Sequence, residues 1–248
     1  MAWAMRKRAD VLLVERGLFD SRAKARAAIE AGRVTAAGRP VARAAEPLDE
    51  DADIQAEPAH PWVGRGGLKL DHALGLWPVD VAGRTALDVG ASTGGFTQVC
   101  LARGAAHVYA VDVGRGQLHP SLAADPRVSD LSGVDARRLD RALVPQAPGL
   151  VVCDASFIGL AKVLPAALAL AAPDADLIVL VKPQFEAGPE HVGRGGLVRD
   201  PAVRAAVLAR VEAELNDLGW TVRATAESPV AGGDGNLEYL AWARRTAG

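Results

Sequence analysis

Beyond residue 61, short apolar runs of strand length alternate with longer stretches of helical character. The strand-like runs are Thr85 to Val89, His107 to Asp112, Leu150 to Asp154, Asp176 to Val181, Trp220 to Ala224 and Leu237 to Ala243. Such alternation predicts an α/β fold in which a mostly parallel sheet is covered by helices on both faces. The N-terminal segment reads differently, as helix, turn, helix and short hairpin. Val11, Val14 and Leu18 fall at helical spacing; Asp20-Ser21 offers an N-cap for a second helix, which carries Ala25 and Ile29 on one face and meets its stop at Gly32. Arg33-Val34-Thr35 and Pro40-Val41 predict two short strands around a turn at Gly38-Arg39. From Glu46 to Pro61 the chain is acidic and holds Pro47, Pro58 and Pro61, which predicts a last strand running into a linker. The expected organisation is a small α+β domain over 1–57, a linker over 58–66 and a large α/β domain over 67–248, with no internal repeat.

The chain has 248 residues, half of them apolar, which suits one large core and a small appendage. A net charge of −2 conceals an uneven distribution: ten Lys/Arg stand against four Asp/Glu between Met1 and Arg43. Arg22 and Arg26 are four apart and share a helix face, with Lys24, Arg33 and Arg39 nearby, so a basic surface is expected there. The plain reading of such a surface is a solvated helix face; the functional one is a phosphate-binding face. Cys100 and Cys153 each sit in apolar sequence, which argues against both a disulfide framework and a CxxC metal site and fits a reducing compartment. The apolar stretch from Leu160 to Pro173 is interrupted by Lys162 and Pro165 and is too short to span a bilayer, and no signal-peptide core is present near Met1. A cytoplasmic protein with no membrane partner is expected.

The strand ending Leu87-Asp88-Val89 runs into Gly90-Ala91-Ser92-Thr93-Gly94-Gly95-Phe96 and then a helix reaching about Ala102. Glycines let the backbone approach a ligand, and the helix N-terminus offers free N–H groups to an anionic part of it. Asp112 closes the next strand, 22 residues after Gly90, where a carboxylate can take the hydroxyls of a cofactor ribose. Nicotinamide dinucleotides and S-adenosylmethionine compete for this arrangement. The loop is not G-x-G-x-x-G; with glycines at 90, 94 and 95 and Asp88 two residues before the first, it resembles the methyltransferase loop D-x-G-x-x-x-G-G-F. Asp135 is a candidate partner for an adenine amino group. The bland readings are a structural glycine turn and ordinary strand-end carboxylates.

Four charged residues fall at strand ends or beside them. Lys69 lies just before a predicted helix, Asp154 ends the strand from Leu150, Lys182 follows Val181, and Glu238 lies in Asn236-Leu237-Glu238-Tyr239. The carboxyl edge of such a sheet is where open α/β folds bind ligands. Singly, each reads as a surface charge or a strand terminus. Together they resemble the Lys-Asp-Lys-Glu tetrad of the FtsJ-like ribose 2′-O-methyltransferases. In that chemistry a base takes the proton of a ribose hydroxyl, and Lys182 is the candidate base. A second positive charge at Lys69 would ease loss of its proton, and Asp154 and Glu238 would oppose that while orienting both lysines.

The whole chain is similar to the TlyA-type family, historically called hemolysins, in which a small S-four-type RNA-binding module precedes an FtsJ-like domain with a Rossmann-like fold. Arg8, Asp10, Gly17-Leu18, Ser21-Arg22, Ile29, Gly32 and Gly38 carry the likeness in the module; Asp88 to Phe96, Asp112-Val113-Gly114, Asp154 to Ile158, Val181 to Glu186 and Ser228-Pro229 through Tyr239 carry it in the larger domain. The resemblance implies S-adenosylmethionine-dependent methylation of a cytidine ribose in ribosomal RNA, with no metal. The cofactor contacts expected are Asp88, Gly90, Ser92, Thr93, Gly94, Gly95, Phe96, Asp112, Asp135 and Asp154, the RNA contacts expected are Arg8, Arg22, Lys24, Arg26, Arg33 and Arg65, and Phe157 or Phe185 are candidate stacking groups for a target base. The ribosomal subunit is the implied partner, and no stable protein partner is evident. Gly64 departs from the family's more common Ser and is expected to loosen the linker. The family has a longer form acting on both subunits and a shorter one restricted to the large subunit; the ten residues after Glu238 leave no room for an extra helix, while the N-terminus is not short. Three alternatives stay open: a membrane-lytic protein, a nicotinamide-dependent oxidoreductase, and an RNA-binding protein with an inactive methyltransferase domain.

Overall fold

The computed structural model describes residues 5–245. The chain divides into two compact units, Met1–Pro61 and Trp62–Gly248. In the first, β1 (Arg6–Arg8) leads into α1 (Ala9–Glu15) and α2 (Arg22–Glu30), followed by β2 (Val34–Ala36), β3 (Arg39–Pro40), β4 (Pro47–Asp49) and β5 (Ile54–Ala56). Strands β1 and β4 pair antiparallel, and β2 lies between β3 and β5. Ser21 caps α2 by accepting from the Lys24 N–H, and Gly32 leaves the helix at φ +68°.

Two expectations are corrected here. The buried face of α1 is Ala9, Leu12 and Leu13, which join Ala25, Ala28 and Ile29 in one core, whereas Leu18 is exposed. The helix stops at Glu15, so the spacing of Val11, Val14 and Leu18 spanned a helix and the turn after it. The acidic stretch forms two strands, not one, and the first pairs with Arg6-Lys7-Arg8, a strand with no apolar residue to announce it. Backbone hydrogen bonding, which any sequence can supply, makes that ladder.

The second unit contains α3 (Gly66–Leu76), β6 (Thr85–Val89), α4 (Gly95–Ala102), β7 (His107–Asp112), α5 (Pro120–Ala123), β8 (Val128–Ser132), β9 (Leu150–Cys153), α6 (Leu160–Ala169), β10 (Asp176–Val181), α7 (Pro183–Glu186), α8 (Pro201–Asp217), β11 (Trp220–Glu227) and β12 (Tyr239–Arg245). Its sheet has seven strands in the order β11-β12-β10-β9-β6-β7-β8, and only β12 runs against its neighbours. Every residue of β10 is buried, and after Asp176 the strand is an unbroken apolar run, as one covered on both faces should be. Cys100 and Cys153 are buried, free thiols in this core. The sequence did not announce β8, a half-exposed edge strand with the polar pattern Val-Ser-Asp-Leu-Ser. Pro165 does not interrupt α6, and Lys69, expected before a helix, lies within α3.

Candidate active site

The topology explains why distant residues meet. Strands β6, β9 and β10 are parallel neighbours, so the residues following Val89, Cys153 and Val181 emerge at one edge. Because β12 runs the other way, with Tyr239 opposite Val181, its first turn also starts at that edge and delivers Glu238 there. Helix α3 supplies Lys69.

The four charged side chains form two closed pairs. Lys69 Nζ lies 2.6 Å from Glu238 Oε2, with both side chains nearly sealed from solvent. Lys182 Nζ lies 2.7 Å from Asp154 Oδ1, and also donates to the Asp154 carbonyl at 3.1 Å and to Ser156 Oγ at 2.7 Å. The sequence had suggested two lysines facing each other; in the structure each lysine has its own carboxylate. All four line a cavity of about 370 Å³, together with Gly90, Ser92, Thr93, Gly95 and Phe96 of the glycine loop.

That loop has its shape for steric reasons. Gly90 has φ +83°, and a Cβ there would lie 2.9 Å from the Ala155 backbone, so β6 and β9 could not turn out of the sheet side by side with any other residue. Gly94, at φ +94°, caps α4 against Leu118 and Leu122. Gly94 has no side chain to cap α4, and the Thr97 N–H in its first turn is directed to the Asp88 carboxyl, which leaves the start of the helix at Gly95 and Phe96 facing the first cavity. Gly64 sits directly on this loop: a Cβ there would lie 2.6 Å from Thr93 Oγ1. The departure at 64 therefore bears on the cavity wall as well as on the linker.

A second cavity, of about 560 Å³, shares Gly90, Ser92, Asp154, Ser156 and Phe157 with the first. Asp112 stands in its wall, accepting from the Ser92 and Gly114 N–H groups and keeping lone pairs for further donors. Val134, Ala136 and Ile158 give this cavity an apolar side. Asp135 is also in the wall, but Arg137 occupies both its oxygens and holds its carboxyl down at about 2, which competes with the adenine contact expected from sequence.

The structure does not bring Asp88 or Gly94 to either cavity wall. Asp88 is sealed beneath the loop, where Oδ2 accepts from Thr97 Oγ1 and Oδ1 has no protein partner. Burial pushes its carboxyl up to about 7, the Thr97 hydrogen bond opposes this, and the charges of Asp154 and Asp112 add to it. The folded protein therefore keeps a proton that the unfolded chain releases near pH 4. This stabilises the fold fully below that pH and the contribution falls away as the pH rises to about 7. Asp88→Asn, neutral throughout, is expected to match the parent in chemical denaturation near pH 4 and to exceed it by about 3 kcal/mol at pH 8. A stability difference that does not change with pH would show that Asp88 is ionised in the fold.

Three contributors stood in the sequence only inside longer motifs, with no role assigned to them. Ser156 was visible only as part of a motif. Glu186 accepts from the Leu160 N–H at the start of α6 at 2.8 Å, and Arg210 donates to its carbonyl, so it fastens the loop after β9 to the loop after β10; burial raises its carboxyl. Asn236 is buried and ties the Val198 N–H and the Gly196 carbonyl to the segment carrying Glu238.

In the N-terminal unit, the fully buried Asp10 holds both Arg8 and Arg22, with contacts at 2.9 and 2.8 Å, and these arginines, Arg8 first, bring its carboxyl down to about 2. Each guanidinium keeps donors facing outward. Lys24 pairs with Asp20 and Arg33 with Glu57; Arg26 is exposed. Arg65 is exposed at the rim of the first cavity, in the larger unit. Among the described residues, no group of three or more His, Cys, Asp or Glu is placed to hold a metal ion, and no helix is long and apolar enough to cross a membrane.

The model of the FtsJ-like methyltransferases matches residues 62–245, and that of the S4 domain matches 7–54. The 16S/23S rRNA (cytidine-2′-O)-methyltransferase TlyA of Mycobacterium tuberculosis is 46% identical over 97% of this chain and 91% of its own length. The chain belongs to the TlyA-type FtsJ-like methyltransferases. Hemolysin A of Brachyspira hyodysenteriae is 34% identical to this TlyA-type chain over 94% of it and 98% of the relative. The solved structure of a hemolysin-named protein from Streptococcus thermophilus superposes with a TM-score of 0.76 at 37% identity, covering 98% of this methyltransferase and 90% of that chain.

Proposed function

We propose that this chain transfers a methyl group from S-adenosylmethionine to the 2′-hydroxyl of a cytidine ribose in ribosomal RNA. The observation that carries the reading is the convergence of the Lys69–Glu238 and Lys182–Asp154 pairs on one cavity beside the glycine loop. The residues present fit the methyl donor: Asp112 can accept ribose hydroxyls, the Val134, Ala136 and Ile158 wall suits an adenine ring, and the start of α4 suits a carboxylate. Bound there, the donor supplies an electrophilic methyl group on a sulfonium. Lys182 takes the proton of the attacking hydroxyl, Asp154 orients Lys182, and the Lys69–Glu238 pair holds another part of the same wall.

Phe157 stacks the target base. Its ring is 89% exposed at the cavity mouth, its backbone is held at φ +64°, and it lies 5.1 Å from the Phe185 ring. A bulky residue kept exposed in a costly conformation is repaid when a partner covers it. Phe157→Ala is expected to lower kcat/KM for RNA at saturating cofactor by roughly 10- to 100-fold, the worth of one stacked base. An unchanged kcat/KM would remove Phe157 from the RNA site. Arg8 and Arg22, pre-oriented by Asp10, together with Lys24, Arg26, Arg33 and Arg65, contact phosphates, so RNA affinity falls with added salt.

The test is transfer of labelled methyl groups to each ribosomal subunit lacking the modification, with digestion and mass spectrometry to place the label. Label on a cytidine 2′-oxygen is the expected result, and the labelled subunit identifies the substrate. Label on a base, or none on either subunit despite cofactor binding, overturns the reading.

A further inference from the structure

We infer that Ser156 carries the proton from the substrate hydroxyl to Lys182, an inference that rests on Lys182 acting as the base. The Lys182 ammonium meets three acceptors: Asp154 Oδ1, the Asp154 carbonyl oxygen and Ser156 Oγ. An ammonium has three protons: two make hydrogen bonds to the Asp154 carbonyl and Ser156 Oγ, and the charge is balanced by the ion pair with Asp154 Oδ1 at 2.7 Å. A base needs the reverse, a neutral amine whose lone pair faces a donor. With one proton gone, Lys182 has two N–H groups and one lone pair for the same three neighbours. A carboxylate and a carbonyl only accept, so they keep the two N–H groups. Ser156 alone can turn its O–H round and donate to the lone pair.

Position points the same way. Lys182 is 7% exposed, whereas Ser156 is open to solvent and lines both cavities. Both groups line the first cavity, but Ser156 is the more open of the two and alone also faces the second.

The step balances. The 2′-oxygen forms a bond to the methyl carbon, the carbon–sulfur pair returns to sulfur, and the pair of the broken O–H bond stays on the 2′-oxygen. The released proton goes to Ser156 Oγ as the serine's own proton goes to Lys182 Nζ. The products are a 2′-O-methyl ribose, a neutral thioether and a lysine ammonium held again by its three acceptors. The positive charge lost at sulfur reappears on lysine, and the serine is regenerated.

The experiment compares the full-length parent, Ser156→Ala, Ser156→Thr and Lys182→Met in single-turnover methylation of ribosomal RNA, with cofactor affinity measured by calorimetry. Ser156→Ala is expected to slow transfer by roughly 10²-fold without weakening cofactor binding, and Ser156→Thr, which keeps the hydroxyl, to recover most of the rate. In mixtures of light and heavy water the parent rate should bend with two protons in motion, and that of Ser156→Ala should not. A Ser156→Ala rate within about threefold of the parent, beside an inactive Lys182→Met, would show that lysine takes the proton directly. Loss of rate that threonine does not recover would also overturn the relay. Full activity in Lys182→Met would instead overturn the assignment of the base, and the relay with it.

Discussion

Lys182→Ala is expected to bind S-adenosylmethionine about as well as the parent and to transfer methyl groups roughly 10²- to 10⁴-fold more slowly, the range lost when a positioned base is removed. The reason lies in where Lys182 stands. Its ammonium is held against the loop after β9, on the first cavity, while Asp112, Val134 and Ile158 define the second without its help. Lys182→Arg sharpens the test. A guanidinium keeps the charge and can keep the Asp154 pair, yet it cannot give up a proton near neutral pH. It should therefore be as inactive as the alanine variant while folding better. Single-turnover rates alongside cofactor titration read both effects, and an active Lys182→Arg enzyme would mean that the site needs positive charge rather than a base.

The second large effect is on stability. Lys69 and Glu238 are nearly sealed from solvent at a separation of 2.6 Å, so removing either strands the other as a buried, uncompensated charge. Glu238→Ala is expected to cost about 3–5 kcal/mol. For a unit of this size that is roughly a 6–20 °C fall in Tm. Replacing both partners with apolar groups of similar volume, Lys69→Met with Glu238→Leu, removes the stranded charge and should return most of the loss. Activity should not return with it. Thermal unfolding of the two variants, read beside methyl transfer, separates the pair's effect on folding from its effect on chemistry; a single variant as stable as the parent would show the pair to be accessible to water.

The sequence made the larger unit legible where a buried strand is also a short apolar run. Strands β6, β7 and β10 were found from end to end for that reason, and Asp154 and Lys182 could be placed because each directly follows such a run. Strand β8 escaped because one face of an edge strand is wet, and Val128 to Ser132 alternates too weakly to stand out. The pairing within the tetrad was hidden for another reason. Which carboxylate serves which lysine depends on the antiparallel return of β12, a property of topology that no local pattern carries. Asp10 shows the same limit in the smaller unit: Arg22 looked like a helix-face partner of Arg26, yet a buried carboxylate draws it to Arg8.

That antiparallel return also bears on how the site is completed. Among the described residues β12 comes last in chain order, yet it lies inside the sheet, between β10 and β11. Without it, β11 has no neighbour to pair with and Lys69 has no carboxylate. A sheet built from β6 to β10 alone would therefore lack Glu238 and one part of the cavity wall, so the site is complete only when β12 is seated between β10 and β11.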